Sequence, residues 1–79
     1  MNLRHLRSFI AVAEELHFGR AARRLHVGQS PLSRTIRRLE TDLGVVLLDR
    51  TPHGVFLTAA GQVFLLDAQR VLQTLEQAQ

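Results

Sequence analysis

The hydrophobic and polar positions between residues 26 and 44 predict a turn followed by one short amphipathic helix. Apolar residues recur there at spacings of four, three and four, which places them on one stripe of an α-helix. They are Leu32, Ile36, Leu39 and Leu43. Pro31 suits the first helical turn, where its missing N–H is not needed, and Gly44 suits the position just past a helix end. We therefore expect a helix over about residues 30–43.

The opposite stripe of this helix carries hydroxyl and guanidinium groups and lacks carboxylates. Its members are Ser30, Arg34, Arg37 and Thr41, with Ser33 and Arg38 on the flanks. An exposed row of such donors suits contact with phosphates and with the edges of bases. The alternative is an ordinary amphipathic helix whose basic side is merely solvated.

The residues before this helix predict two more helices. The first begins after Asn2, a good N-cap, and the second runs from about Gly19 to Leu25. Their expected buried residues are Leu3, Leu6, Phe9, Ile10, Ala13 and Leu16 in the first, and Phe18, Ala21, Ala22 and Leu25 in the second. Val27 is expected to be buried in the turn that follows. Small residues inside and arginines outside two helices joined by a short turn form the helix-turn-helix pattern.

After Gly44 the periodicity changes, and residues 45–50 and 55–57 read as two short strands joined by a turn at 51–54. This hairpin, or wing, must pack on the helices because an isolated hairpin is marginally stable. Thr58 then caps a long last helix over residues 59–79. Its apolar residues follow a heptad-like seam, and they are Phe64, Ala68, Val71, Leu75 and Ala78, widened by Leu65 and Leu72.

The last helix is about 30 Å long at 1.5 Å per residue, so the rest of this small domain can pack against only part of its length. We therefore expect a homodimer through this helix, on a partly palindromic DNA site. The alternative is a terminal helix folded back on its own domain.

Composition narrows the function. The chain has 79 residues, enough for one small domain, and no cysteine, which excludes disulfides and thiolate zinc sites. Its four histidines are irregularly spaced, so we expect no metal and no cofactor in this domain. No apolar run reaches the length of a membrane span and no signal peptide opens the chain, so we expect a cytoplasmic protein without membrane contact.

Charge is unevenly distributed along the chain. Residues 1–38 hold eight arginines against two glutamates, whereas residues 39–79 hold two arginines against five acids. The basic half thus coincides with the predicted helix-turn-helix. The sequence shows no paired carboxylates, no nucleophile–base set and no phosphate-binding loop, so we do not expect an enzyme. A helix-turn-helix that binds RNA or protein stays an alternative; exposed aromatic rings for base stacking would favour RNA, but all four phenylalanines occupy apolar-patterned positions.

At this point the chain resembles the N-terminal DNA-binding domain of LysR-type bacterial transcriptional regulators. The resemblance covers essentially all residues and rests on FIAVAEELHFGRAARRLHVGQSPLSRTIRRLETDLGVVLLDR and on LTAAG at residues 57–61. The ordered positions that carry it are Ala21, Ala22, Leu25, Val27, Gln29, Leu32, Ser33, Ile36, Leu39, Glu40, Leu43 and Gly44, followed by Arg50.

The resemblance implies a mostly α fold: a winged helix-turn-helix, with a three-helix core and a short β-hairpin wing, plus a long C-terminal dimerisation helix. It implies a DNA-binding domain at residues 1–57 and a linker and dimerisation helix at 58–79. It further implies sequence-specific binding of double-stranded operator DNA, with the recognition helix in the major groove and the wing at the minor groove or backbone. An effector-binding domain, expected to follow in the full-length protein and absent from this chain, would bind the small-molecule effector. A tetramer of that protein stays open.

The candidate site residues fall into four groups. Expected base contacts are Gln29, Ser30, Pro31, Ser33, Arg34 and Arg37; expected backbone contacts are Phe18, Arg20, Arg24, Arg38 and Arg50. The wing tip has His53 and Gly54, and the dimer interface has Phe64, Ala68, Val71, Leu72 and Leu75.

Four positions depart from the family pattern. Gly28 stands where Ser is usual, so the recognition helix is expected to lack a side-chain cap. Gly19 stands where Thr or Ser is common, which is expected to weaken another cap. His53 stands where Arg is frequent, which would make a wing contact sensitive to pH. Leu48 replaces the more usual Phe in the core.

Overall fold

The computed structural model describes residues 1–78, and the predicted end of the last helix at Gln79 lies outside them. The elements in chain order are α1 (Leu3–Glu15), α2 (Phe18–Leu25), α3 (Gln29–Leu43), β1 (Leu48–Thr51), β2 (Gly54–Leu57) and α4 (Ala59–Gln77). This order confirms the predicted winged helix-turn-helix followed by a long helix.

Side chains cap three of the four helices at their N-termini. Asn2 accepts a hydrogen bond from the backbone N–H of His5 at 3.0 Å, and the Thr58 hydroxyl accepts one from Gly61 at 3.0 Å. The Nδ1 atom of His17 accepts one from the N–H of Arg20 at 3.0 Å, so α2 begins one residue earlier than predicted. Gly28 gives α3 no side-chain cap, as expected.

The predicted weak cap at Gly19 is wrong, because His17 caps this helix. A Cβ at Gly19 would lie 2.9 Å from Cε1 of His17, so the missing side chain makes room for the imidazole. Leu16 was also expected inside, but it ends α1 with a left-handed φ of 50° and is 42% exposed. Leu3 and Val27 are likewise 37% and 48% exposed instead of buried.

The core lies where α1, α2 and α3 meet beneath the wing. Its largest fully buried side chains are Phe9, Val12, Leu32, Ile36, Leu39 and Leu47. Each α3 member of this set was predicted from the apolar stripe, and Ala21 and Ala22 are buried in α2 as expected. The stripe therefore turns the opposite, polar face of α3 outward.

The wing is a two-stranded antiparallel hairpin in which Leu48 pairs with Leu57 and Thr51 with Gly54. Its first strand begins at Leu48, later than the predicted residue 45. The start of this strand is held by α3, because one carboxylate oxygen of Glu40 accepts hydrogen bonds from the N–H groups of Leu47 and Leu48 at 2.7 and 3.2 Å. The orientation of the wing is thus fixed relative to α3.

The first half of α4 packs on its own domain. The rings of Phe64 and Phe9 meet edge to face with centroids 5.2 Å apart, Ala68 is 1% exposed, and Gln69 donates to Glu14 of α1 at 3.0 Å. Phe64 and Ala68, which were predicted at a dimer interface, thus also contribute to packing within the monomer. Leu72 is half-buried near α1, whereas Val71 and Leu75 are 46% and 42% exposed.

Candidate nucleic-acid interface

The outward face of α3 presents polar groups in its first two turns. Gln29, Ser30 and Pro31 are exposed, and the N-terminal amides of the helix have no side chain capping them. Arg34 and Arg37 follow on the same face, are exposed, and pair with no acid among residues 1–78. This combination of free guanidinium groups and a positive helix end favours an anionic partner.

A second part of the surface joins the wing to both helices of the helix-turn-helix. The guanidinium of Arg50 lies over the Phe18 ring, 4.3 Å from its centroid, and its Nη1 donates to the Ser33 hydroxyl at 2.6 Å. Burial and the neighbouring charge of Arg37 lower the pKa of Arg50 from its ordinary value, while Glu40 opposes that shift. Predicted backbone and base contacts thus meet in one cluster.

The placement of Phe18 limits its predicted contact with the DNA backbone. Phe18 is only 9% exposed and the Arg50 guanidinium covers its ring, so little of the side chain is available to DNA. Its backbone N–H lies in the first turn of α2, where the amides have no acceptor within the helix, so this group could still bind a phosphate.

Three arginines that were also predicted to contact the DNA backbone form ion pairs with acidic residues. Arg24 donates to Glu14 at 2.7 Å, and this hydrogen bond raises the pKa of Arg24 above its ordinary value. Arg20 pairs with the carboxylate of Glu15 at 3.5 Å and also donates to the backbone carbonyl of Glu15 at 2.8 Å. Arg38 pairs with Asp42 at 3.2 Å, one turn along α3. Exposed pairs of this kind contribute little, about 0–1 kcal/mol, so each arginine remains able to exchange its acid for a phosphate.

The wing tip is exposed at His53 and is shaped by a local turn. The Thr51 hydroxyl accepts from the N–H of His53 at 3.1 Å and donates to the carbonyl of Gly54 at 3.2 Å. Gly54 has a φ of +134°, which L side chains rarely adopt. Nearby, Phe56 is 49% exposed, contrary to the expectation that every phenylalanine lies on an apolar face.

Residues 3–62 match the family model described as "Bacterial regulatory helix-turn-helix protein, lysR family". The chain belongs to the lysR family. This match covers α1 through the first turn of α4, so it includes the polar face of α3, the Arg50 cluster and the wing. The family resemblance predicted from the sequence is confirmed.

Named relatives of this lysR-family chain are transcriptional regulators. It is 60% identical over 76 residues to the HTH-type transcriptional regulator ClcR of Pseudomonas putida, across 96% of this chain and 26% of ClcR. The chain thus spans about a quarter of the length of such curated relatives. The names of these relatives describe regulators of transcription.

Two solved structures share the lysR-family fold closely. The CbnR_DBD–DNA complex superposes with a TM-score of 0.94 at 51% identity, covering 99% of this chain and 90% of that one. The BenM_DBD/benA site 1 DNA complex superposes with a TM-score of 0.95 at 45% identity, covering 99% and 91%. Both similar chains are in complex with DNA.

Sequence reasoning missed two residues that shape this lysR-family surface. His17 starts α2 and Glu40 holds the segment before the wing. His17 gave no signal, because histidine is not among the common N-caps. Glu40 was among the residues that carry the resemblance, but no role was assigned to it; its position near the end of α3, where the helix dipole disfavours a carboxylate, was a weak signal of another contact.

Two kinds of site are not found in residues 1–78. These residues bring together no group of three or more His, Asp or Glu side chains able to hold a metal ion. In the same range no helix is long and apolar enough to cross a membrane.

Proposed function

We propose that this chain is the operator-binding domain of a LysR-type transcriptional regulator, with α3 in the major groove of double-stranded DNA. The observation that carries the proposal is the polar face of α3, where Arg34 and Arg37 are exposed and have no acid partner within residues 1–78. It is supported by the similar CbnR and BenM chains, which are in DNA complexes. Residues 1–57 would bind DNA, and residues 58–79 would form the linker and dimerisation helix.

The base-contacting residues lie at the start of α3 and on its outward face. They are Gln29, Ser30, Pro31, Ser33, Arg34 and Arg37. Gln29 pairs with adenine, Arg34 with guanine, and the Pro31 ring contacts a thymine methyl group. Arg37 reaches a base edge or a nearby phosphate.

Phosphate contacts come from groups around this face and set affinity without sequence information. They are the amide of Phe18 and the side chains of Arg20, Arg24, Arg38 and Arg50. Of these, Arg24 contributes least, because it must leave two glutamates to reach a phosphate. The wing tip at His53 and Gly54 lies at the minor groove or the backbone.

The chain acts together with a second copy and with a further domain of the full-length protein. In the full-length protein, a C-terminal effector-binding domain of the kind that the LysR-type resemblance implies would bind the small molecule. The DNA-binding domain itself needs no cofactor. Because its proposed target is operator DNA, the protein would act in the bacterial cytoplasm, at the nucleoid.

The test measures affinity by fluorescence anisotropy, using a duplex selected by this chain from a randomised pool and a scrambled duplex. Arg34→Ala should weaken binding of the selected duplex by about 1–3 kcal/mol and relax preference at one base pair per half-site. Arg70→Ala is the matched control, since Arg70 lies in α4 beside Asp67 at 3.7 Å. An unchanged ratio between the two duplexes in Arg34→Ala would exclude Arg34 as a base reader.

Single-stranded RNA serves as the competitor in the same measurement. Phe56 is the one phenylalanine in residues 1–78 with a largely exposed ring, and one ring is too little for a base-stacking surface. We expect the RNA to compete no better than scrambled duplex. Tighter binding of RNA than of the selected duplex would instead favour an RNA-binding helix-turn-helix.

A further inference from the structure

Arg50 makes two contacts that no phosphate-binding arginine needs. Its guanidinium lies 4.3 Å from the centroid of the Phe18 ring, and its Nη1 is 2.6 Å from the Ser33 hydroxyl oxygen. The ring is buried and belongs to α2, whereas Ser33 is half-buried in α3. A side chain from the wing therefore fixes a polar group of the recognition helix against a rigid aromatic surface.

The chemistry of this contact sets the direction of the Ser33 hydroxyl. A serine hydroxyl has one proton to donate and lone pairs to accept with, whereas a guanidinium only donates. Ser33 must therefore accept from Arg50. No other hydrogen bond of the Ser33 hydroxyl occurs within residues 1–78, so its proton stays available. By contrast, the Thr74 hydroxyl donates its proton to the Arg70 carbonyl at 2.9 Å.

We propose that Arg50 is a positioning residue that makes Ser33 a hydrogen-bond donor toward DNA, so that Ser33 reads an acceptor on a base edge. Such acceptors in the major groove are N7 of purines, O6 of guanine and O4 of thymine, as opposed to the amino groups of adenine and cytosine. The inference rests on the proposed base contact of Ser33. The wing would then contribute to sequence specificity through Ser33, whereas a contact between the wing and DNA phosphates contributes only to affinity.

The local environment is consistent with this role. A planar guanidinium stacks on an aromatic ring, and a charge-assisted hydrogen bond is stronger than a neutral one, so the Ser33 contact is well defined. Only one Arg50 nitrogen is used on Ser33, and the others have no partner among the described residues. Arg50 is thus free to approach a phosphate while it orients Ser33.

The experiment separates positioning from charge by comparing base preferences at fixed salt. The probes are a duplex selected by this chain from a randomised pool and its single-base-pair variants. Ser33→Ala should reduce preference at one base pair per half-site, and Arg50→Met should reduce preference at that same pair by roughly 10-fold. The double variant should have the same base preferences as Ser33→Ala alone, because Arg50 acts through Ser33.

Arg20→Met is the matched control, because it removes the same charge from a proposed phosphate contact that does not touch Ser33. It should weaken all duplexes by one factor and leave the preferences intact. If Arg50→Met does the same, the positioning role is overturned while the base contact of Ser33 stands. If Ser33→Ala changes no preference, the base contact itself is overturned. Far-UV circular dichroism confirms that each variant is folded.

Discussion

At the residue scale, the two arginine-rich helices differ in how their charges are held. The α2 arginines at positions 20 and 24 contact Glu14 or Glu15, whereas Arg34 and Arg37 in α3 have no acid partner within residues 1–78. Sequence reasoning placed both sets on outward faces correctly. It did not foresee the α2 pairs, because they form across the turn between α1 and α2, and side-chain geometry there does not follow helical spacing.

His17 offers a test of a single residue outside the DNA-contacting groups. His17→Ala removes the acceptor for the Arg20 amide, and we expect unfolding free energy to fall by about 1 kcal/mol. His17→Asn keeps a short acceptor at the same position and should recover most of the loss. The urea midpoints of the three proteins check this prediction. Equal midpoints for His17→Ala and wild type would show that the cap contributes nothing.

At the element scale, the helices were more predictable than their ends and partners. The apolar spacing of α3 identified Leu32, Ile36 and Leu39 as buried, because a helix with a single apolar stripe packs with that stripe against the core. Residues 45–47 were predicted as strand, since β-branched and apolar residues favour one. They do not pair with a second strand, because the N–H of Leu47 donates to the Glu40 carboxylate instead. Glu40 belongs to α3, so this contact could not be inferred from the strand residues themselves.

The junction between the wing and α4 depends on a close backbone approach at Gly61. A Cβ there would overlap the carbonyl oxygen of Leu47, and Thr58 is bonded to the same segment through Leu47 and Val46. Gly61→Ala should therefore displace α4 from the wing and reduce stability by about 1–3 kcal/mol.

Thermal or urea unfolding of Gly61→Ala provides the measurement. Ala59→Gly is the control in the same first turn, since Ala59 is exposed and its change should cost only about 0.5–1 kcal/mol of helix propensity. A smaller loss for Gly61→Ala than for Ala59→Gly would mean that the close contact is relieved without strain.

At the scale of the whole molecule, α4 divides into a packed half and an unpartnered half. The first residues of the predicted seam contribute to the monomer, since the Phe64 ring contacts Phe9 of α1 and Ala68 is 1% exposed; their place in a dimer interface stays a prediction. The sequence could not separate the two uses, since a heptad seam looks the same whether it faces its own domain or a second copy. The exposed apolar surface that remains runs from Val63 toward Val71 and Leu75.

A neighbouring groove extends this surface. It is lined by Leu43, Val45, Leu47, Ala60, Val63, Phe64 and Asp67. With 3.6 residues per turn, Val71 and Leu75 continue the side of α4 that borders the groove. Contiguous exposed apolar surface of this kind marks a partner site. We propose that a second copy of α4 covers it and holds two recognition helices about one DNA turn, roughly 34 Å, apart.

Replacing Val71 and Leu75 together with Asp should give a folded monomer, because both side chains are largely exposed within one subunit. We expect wild type to sediment as a dimer at micromolar concentration, and the variant to bind a selected duplex about 100-fold or more weakly, since it loses the effective concentration of the second half-site. Gln62→Asp with Gln73→Asp adds the same charge on the opposite, exposed side of α4 and should change neither result. A monomeric wild type, together with normal DNA binding by the Val71 and Leu75 variant, would rule out this interface.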